Sequence, residues 1–475
     1  MRKIIHELIC GKKVVILGFG REGRATFPWL IEDGSASKLA IADLNPVRLP
    51  EGTDKDVADS IEFITGADYQ KCLNEFDVVF KSPGVVLEEE KSHYTCKIVS
   101  EMDVFFAAYR DRIVGITGTK GKSTTTTLMY HVLKTAGKKV LLAGNIGIPV
   151  FDIAKDIDDD TMLVVELSCH QLEYATVSPH IGVLLNIHEE HLDHYGTMEK
   201  YVAAKENIYR NQQEGDLLFC EQELACERKF KTNCDEASAE ESTTKSTVKT
   251  VAALGMTGDE TADIYVENNT IHLNYGDKEQ YEIKTDDIPL MGLHNYYDMA
   301  YVYAISRHLG ISVADIEKGF STYESLPHRL QKIGVKDGVT YYDDSISTID
   351  ETTIQALNTL KNADTVIIGG MDRGISYESL ESYLSQSDIP HIILMEETGR
   401  RIYNEITAMG DFNRMDRIII VKHLEDAVAM AKKVTAKGKA CVMSPAAASY
   451  GIFKNFEERG EVFKKLVFEE VKNRS

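Results

Sequence analysis

Two glycines, two lysines and two hydroxyl side chains are packed into the six residues Gly118, Thr119, Lys120, Gly121, Lys122 and Ser123. They fall between an apolar run, Ile113 to Ile116, and a helix-like stretch, Thr124 to Leu133. In a strand, loop and helix of this kind, glycine lets backbone N–H groups approach phosphate oxygens and the helix N-terminus faces an anion. Lys122 is then placed to pair with β- and γ-phosphates, and the Ser123 hydroxyl to complete a magnesium shell. The general pattern G-x-x-x-x-G-K-[ST] would put its first glycine at Ile116, whereas this chain supplies Gly118. The ligand predicted is a nucleoside triphosphate; the plainer reading, a glycine-rich turn before a helix, leaves the lysine and serine unexplained.

Further along, Glu166 closes the apolar run Met162 to Leu167, where a nucleotide-binding sheet presents a carboxylate to magnesium; a solvated strand end is the alternative. Asn186-Ile-His-Glu-Glu-His191-Leu-Asp193 follows another such run with two imidazoles and several carboxylates. Its H-x-x-H spacing is not the helical H-E-x-x-H of zinc enzymes, and the neighbouring phosphate chemistry favours magnesium. For His188 a structural role and a functional one stand level. Lys205 lies in a helical pattern, Tyr201 to Tyr209, where a lysine ordinarily faces water. Taken singly, Gly292 to Asn295 reads as a helix cap, Leu326 to Arg329 as a turn and Asp344 as a strand-end acid.

Elements that would position these residues recur along the chain. Lys12 to Gly18 reads as a buried strand leading into Gly18-x-Gly20-x-x-Gly23 and a helix, and Leu39 to Asp43 as a second strand ending in a carboxylate able to accept a ribose hydroxyl. Alone, this glycine pattern marks close strand-helix packing as readily as a dinucleotide site. A strand at Asp77 to Phe80 leads to the turn Ser82-Pro83-Gly84, and Glu101 to Arg110 leads toward a new domain near residue 111. Strands at Val140 to Leu142, Met162 to Leu167 and Ile181 to Asn186, separated by longer segments, predict a mainly parallel central sheet. Cys234 to Lys249, rich in Ser, Thr, Glu and Lys, reads as a solvated loop. A third unit, starting near Ser325, has strands at Val339 to Tyr342, Thr365 to Ile368, Ile392 to Met395, Arg417 to Val421 and Ala440 to Met443.

The 475 residues suffice for several domains, and 75 acidic against 53 basic residues leave a net charge of −22. That balance opposes general binding to nucleic acid or anionic membranes. No apolar stretch approaches the roughly 18 residues of a membrane span, and the N-terminus lacks a secretory signal, so a cytoplasmic protein is expected. Eight scattered cysteines include no C-x-x-C pair, which favours idle thiols over a metal site.

In order, Gly118 to Ser123, Gly144-Asn145-Ile146-Gly147, Glu166-Leu-Ser168, the His191 segment, Lys205, Gly292 to Asn295, Leu326 to Arg329, Asp344-Ser345 and Ser444-Pro445 resemble the motifs of the Mur ligase family of amide-forming ATPases. Phe453-Lys-Asn-Phe456-Glu-Glu-Arg459-Gly460 is similar to the closing motif of the members that add D-glutamate to UDP-N-acetylmuramoyl-L-alanine. The resemblance spans nearly the whole chain. It implies an α/β protein of three domains: a Rossmann-like UDP-sugar domain (1–110), a central P-loop ATPase domain (111–324) and a C-terminal Rossmann-like domain that binds the amino acid (325–475).

Carried over by resemblance, Gly18, Gly20, Gly23, Asp43, Ser82, Pro83 and Gly84 would face the UDP sugar, with Asn145, Ser168, Gln171 and His191 at its muramoyl-alanine end. Gly118, Thr119, Lys120, Gly121, Lys122, Ser123 and Thr124, with Asn295, Arg329 and Asp344, would bind ATP. Lys205 matches a lysine that carbon dioxide converts to a carbamate; with Ser123, Glu166 and His191 it would hold two magnesium ions. Lys122, Glu166, His191 and Lys205 would be catalytic, and Thr348, Arg373, Ser449 and Phe456 would bind glutamate. The implied reaction passes through an acyl phosphate, shielded from water by domain closure, in a monomer that makes peptidoglycan precursors.

Three departures surround the substrates. Ile346-Ser347 stands where the family has lysine and alanine, Cys169-His170 where it has serine and phenylalanine, and Ala446 to Gly451 differs from the usual closing loop. They leave L-glutamate as an alternative amino acid, and another Mur ligase or a folylpolyglutamate synthase as alternative enzymes. A nicotinamide oxidoreductase would leave the phosphate loop unused. A nucleotide switch would have no need of the Glu166, His191 and Lys205 set.

Overall fold

Apolar runs with β-branched residues form the strands, and the glycine-rich and acidic turns follow their carboxyl ends. The computed structural model describes residues 1–230, 245–252, 261–276, 278–284, 288, 290, 292–324, 326–410, 412 and 414–469. Two compact units divide it, Met1–Tyr323 and Glu324–Ser475.

In the first unit, β1 (Lys13–Leu17), β2 (Lys38–Asp43), β3 (Glu62–Thr65), β4 (Val78–Lys81) and β5 (Lys97–Val99) pair in the order β3-β2-β1-β4-β5, all parallel. The chain winds outward from β1 to β3 and returns to β4. The carboxyl ends of β1 and β4 therefore border the point where strand order reverses, the usual ligand crevice of such a sheet. Gly18 and Ser82 follow those two ends.

A second sheet in the same unit comprises β6 (Ile113–Thr117), β7 (Val140–Gly144), β8 (Met162–Glu166), β9 (Ile181–Leu184), β10 (Leu217–Glu221), β11 (Thr247–Val251), β12 (Ile264–Glu267), β13 (Thr270–Leu273) and β14 (Glu279–Glu282). Their order is β14-β13-β12-β11-β10-β9-β6-β8-β7. β6 lies between β9 and β8, so Thr117, Glu166 and Leu184 end side by side. The sheet is mainly parallel as expected, and β12, β13 and β14 add antiparallel pairs at one edge. The loop expected over Cys234 to Lys249 needs correction at its end. Residues 231–244 lie outside the described residues, but Thr247 to Lys249 belong to β11, where buried Val248 pairs with Leu218. Two valines and two threonines favour the pleated strand over the polar composition of the preceding stretch.

One apolar core serves both sheets of the first unit. Val14 and Ile41 from the first sheet, Phe105 and Phe106 from the helix Glu101–Tyr109, and Leu163 and Val165 from the second sheet all belong to it. Trp29 reaches across to donate its indole N–H to the Phe151 carbonyl at 3.1 Å.

In the second unit β15 (Gln331–Lys336), β16 (Val339–Asp343), β17 (Ala363–Gly369), β18 (His391–Met395), β19 (Ile418–Ile420) and β20 (Ala440–Met443) form a sheet ordered β15-β16-β20-β17-β18-β19. Only β15 is antiparallel to its neighbour. Asp344 and Ser444 follow the adjacent strands β16 and β20. Ser325, expected at the start of this unit, lies outside the described residues. Among those described, no helix is long and apolar enough to cross a membrane, and the seven cysteines are free.

Close packing of helix on strand accounts for part of the first glycine motif. A Cβ on Gly23 would lie 2.2 Å from the Gly18 carbonyl oxygen. Gly23→Ala is expected to destabilise the protein by about 1–3 kcal/mol, read as a lower urea midpoint with an unchanged slope.

Candidate active site

The phosphate loop is held from two sides. β6 delivers it, and the helix Lys122–Thr135 begins beyond Gly121 at φ 84°. A Cβ on Gly121 would meet Asp298 Oδ1 at 2.5 Å, so glycine is required where the helix Leu293–His308 approaches. Asn295 lies one helical turn before Asp298, on the same face.

Asn186, just beyond β9, braces the loop. Its Oδ1 accepts from the backbone N–H groups of Thr119 and Lys120 at 3.1 and 2.8 Å, and its amide donates to the Lys120 carbonyl at 3.2 Å. Thr119 Oγ1 lies 2.9 Å from the Tyr201 hydroxyl and takes a 2.9 Å hydrogen bond from the His188 N–H. His188 therefore acts here through its backbone.

Lys205 corrects the expectation of a water-facing lysine. It is 1 % exposed, because its helix, Met198–Glu206, turns that face inward. Its Nζ donates to the Gly118 carbonyl at 2.7 Å and lies 4.9 Å from the centre of the Tyr201 ring. Lys122 Nζ donates to the same carbonyl at 3.0 Å and to that of Thr119 at 2.9 Å. Burial, and then the positive charge of Lys122, push the Lys205 pKa down to about 7. Burial also lowers that of Lys122, opposed by Glu166 and Glu190.

Glu166 is 1 % exposed. Its Oε1 accepts from the Asn145 amide at 2.7 Å, while Oε2 is buried without a hydrogen-bond partner. Such an oxygen is costly to desolvate and suits a cation. His191 adopts φ 58° and lies 3.7 Å from Glu190 through Nε2. Its ring lies 4.9 Å from that of His170, which lies 4.3 Å from that of His194. Burial, then His194 and His191, push the His170 pKa down to about 4. Among the described residues no three His, Cys, Asp or Glu converge as metal ligands. A magnesium shell completed by Ser123, phosphate oxygens and water does not require three, and the free Glu166 oxygen fits it.

Near the first sheet, Asp43 accepts from the Phe19 N–H at 2.7 Å and Ser82 donates to the Gly18 carbonyl at 2.7 Å. Both clamp the glycine turn. Pro83 and Gly84 continue from Ser82, and Gly20 caps the helix Arg21–Asp33. Ser168 and Gln171 form a reciprocal cap on the short helix Cys169–Leu172, and the Gln171 amide donates to Glu22 at 2.7 Å. Burial raises the Glu22 pKa to about 7 against the pull of Gln171, Lys81 and Arg21.

In the second unit, Asp344 is buried and accepts from the Ser347 and Ser444 hydroxyls, each at 2.6 Å, and from the Leu330 N–H at 2.9 Å. Burial raises its pKa to about 6. Arg329 Nε is buried without a partner. Arg373 donates to the Thr348 carbonyl at 2.7 Å, the Phe453 N–H donates to the Ser449 carbonyl at 3.1 Å, and the Phe456 carbonyl accepts from Ser345 at 2.8 Å.

Residues 116–306 match the family description "Mur ligase middle domain". A UDP-N-acetylmuramoylalanine-D-glutamate ligase of Acetivibrio thermocellus is 32% identical over 471 residues, covering 97% of both chains. One from Geobacillus kaustophilus is also 32% identical, over 95% of this chain and 96% of its own. The chain belongs to the Mur ligase family. Solved relatives share its fold: a MurF ligase of Thermotoga maritima in complex with ADP, 16% identical with a TM-score of 0.56, covers 98% of this chain and 99% of its own. The UDP-N-acetylmuramate-alanine ligase MurC of the same organism, also 16% identical, gives 0.54 over 95% and 98%.

For this Mur ligase, the structure gathers Gly118, Thr119, Lys120, Lys122 and Lys205 around one loop, and Asn145 with Glu166 beside the neighbouring strand end. Two residues that carry the loop, Asn186 and Tyr201, were not singled out from sequence. Their signals were a polar residue directly after a buried strand and an aromatic four positions before Lys205. Arg459, quoted only within the closing motif, is fully buried and donates to Ser345, Ala447 and Ala448.

Asn186→Ala removes three hydrogen bonds from the loop. Faster hydrogen exchange is expected at the Lys120 amide, while the Thr119 amide keeps its 2.9 Å bond to the Asn186 backbone carbonyl, with nucleotide affinity lower by about tenfold, equivalent to ~1.4 kcal/mol. Unchanged exchange with unchanged affinity would show that the brace is dispensable.

Proposed function

We propose that this Mur ligase joins D-glutamate to the alanyl carboxylate of UDP-N-acetylmuramoyl-L-alanine while ATP is converted to ADP and phosphate. The observation that carries this reading is the convergence of Lys122 and Lys205 on the Gly118 carbonyl, on a chain whose relatives with that printed activity match over nearly its full length.

A carboxylate is a poor electrophile, because its own charge repels an incoming amine. Its oxygen attacks the γ-phosphorus, the bond to the β-phosphate oxygen breaks, and ADP leaves an acyl phosphate. The glutamate amine then attacks the acyl carbon, loses a proton, and the tetrahedral intermediate expels phosphate. Backbone N–H groups of the loop and the Lys122 ammonium offset charge that accumulates on the transferring phosphoryl group. Glu166, Ser123 and His191 are the residues we assign to two magnesium ions, which when bound would neutralise phosphate charge. Asn145 holds one Glu166 oxygen and so orients the other.

Lys205 is assigned as a carbamate. Its ammonium first loses a proton, and the neutral amine then attacks carbon dioxide, forming an N–C bond while one C–O π bond breaks and a second proton is released, so that an anion replaces a cation beside Lys122. Asn295, Arg329 and Asp344 are assigned to ATP, and Thr348, Arg373, Ser449 and Phe456 to glutamate. The first-sheet residues Gly18, Gly20, Gly23, Asp43, Ser82, Pro83 and Gly84 are assigned to the UDP sugar, with Ser168 and Gln171 toward its muramoyl end. The assigned domains are 1–110, 111–324 and 325–475. The protein is assigned to the cytoplasm as a monomer with no nucleic-acid or membrane partner.

ADP release with UDP-N-acetylmuramoyl-L-alanine should require an amino acid and favour D-glutamate, with a product heavier by one glutamyl residue. Release independent of any amino acid would end this reading, and a product formed only from L-glutamate would reassign its handedness.

Lys205→Ala should lower ligation by at least about a hundredfold and recover part of it with a short carboxylic acid. Undiminished activity would remove Lys205 from the mechanism.

With a pKa of about 7, set by burial and by Lys122 against Cys169 and Glu190, the neutral fraction of Lys205 rises roughly tenfold from pH 6 to pH 8. At fixed dissolved ¹³C-labelled carbon dioxide, the initial rate at which a carbamate signal appears by NMR should rise by that factor and be absent in Lys205→Ala.

A further inference from the structure

A cavity of about 480 Å³ in the second unit is lined by Glu396, His423, Leu424, Glu425, Asp426, Ile452 and Phe453. None of these residues is needed for the reaction above. Glu396 directly follows β18 and opens the helix Glu396–Met409. It is 9 % exposed, and its Oε1 is buried without a hydrogen-bond partner. Its backbone sits at φ 59°, a region that residues other than glycine rarely adopt. Arg459 is the nearby buried cation, but its guanidinium donates to Ser345, Ala447 and Ala448.

The rest of the lining narrows the ligand. Glu425 and Asp426 occupy the first turn of the helix Leu424–Val434, so an anion drawn to the two helix starts would meet three carboxylates. A metal ion is not favoured either: no three of these side chains converge as ligands, and the apolar wall offers no oxygens to complete a shell as phosphate would beside Glu166. Leu424, Ile452 and Phe453 supply an apolar wall, and Ile452 is 55 % exposed. A carboxylate with one buried oxygen lacking a donor, two further acids in the lining and an apolar wall together suit an ammonium group on a hydrocarbon stem.

We propose that this cavity binds a small organic cation, a primary ammonium carried on an apolar stem, with the ammonium against Glu396 and the stem along Leu424, Ile452 and Phe453. No lining residue is among the positions assigned to ATP and glutamate. It shares a loop with Ser449 and Phe456, whose backbone is tied to Phe453 by the Ser449 carbonyl.

The test is calorimetric titration of the full chain with 1-pentylamine and with its neutral counterpart 1-pentanol. Saturable binding of the amine is expected, with no saturable binding of the alcohol, and Glu396→Gln should weaken the amine at least about tenfold while leaving the far-ultraviolet circular dichroism unchanged. Should Glu396→Gln fail to fold, the exposed double variant Glu425→Gln with Asp426→Asn must weaken the amine severalfold. The proposal is overturned if the amine does not saturate, if alcohol and amine bind alike, or if these carboxylate variants bind the amine as the parent chain does.

Discussion

The Gly118 carbonyl oxygen accepts hydrogen bonds from two lysine ammonium groups, Lys205 at 2.7 Å and Lys122 at 3.0 Å. Two like charges on one acceptor, with one of them almost wholly buried, are mutually unfavourable, and the cost is relieved in two ways. Lys205 gives up its proton near pH 7, or negative charge arrives between them. An anion bound at the loop would supply that charge to both ammonium groups. The loop is therefore poised for anions before any is bound, and the side chains around it follow from keeping that one carbonyl in place. Asn186 fixes the next two backbone N–H groups, and Tyr201 secures Thr119 through its hydroxyl while its ring covers Lys205.

Strand order explains why residues far apart in sequence meet there. β6 is central, with β8 and β9 on either side, so the loop after β6 emerges between Glu166 at the end of β8 and Asn186 just past β9. The parallel register pairs Ile116 of β6 with Glu166 of β8 and Thr117 with Leu184 of β9, and this sets the height of Glu166 relative to the loop. Its unpartnered oxygen is consequently a product of the sheet, held at a level where a cation can use it.

Much of this was legible beforehand. The buried strands around the phosphate loop, the turn glycines and the strand-end acids announce themselves through apolar runs ending in small or charged residues, and the observed strands β1, β6, β8 and β20 lie within a residue or so of their expected limits. Lys205 shows where local reading stops. A lysine in a helix is amphipathic, and only the tertiary position of its helix decides whether the head reaches water. Asp43, Ser82 and Ser168 show the converse. Each was legible as a polar residue at a turn, yet Asp43 and Ser82 spend hydrogen bonds on the distant glycine turn after β1, a partnership that sequence separation conceals, and Ser168 caps its own short helix. The edge strands β13 and β14 were missed because short, half-polar runs carry little periodicity.

The departures at Ile346 and Ser347 acquire a physical meaning from Asp344. This acid is buried, and burial pushes its pKa up to about 6 against two hydroxyls, one backbone N–H and Arg329, so that it remains mostly charged at pH 7. Ser347 is one of the two hydroxyls, at the position where the family resemblance expects alanine, which has no donor. Where the resemblance expects lysine and alanine, Ile346 thus brings no cation while Ser347 adds a hydrogen bond to the neighbouring acid. The loss of one cation need not disarm the turn, because the charge it leaves behind is stabilised from within. Arg373 meanwhile is tied to the Thr348 carbonyl, which keeps a guanidinium beside the end of the same turn.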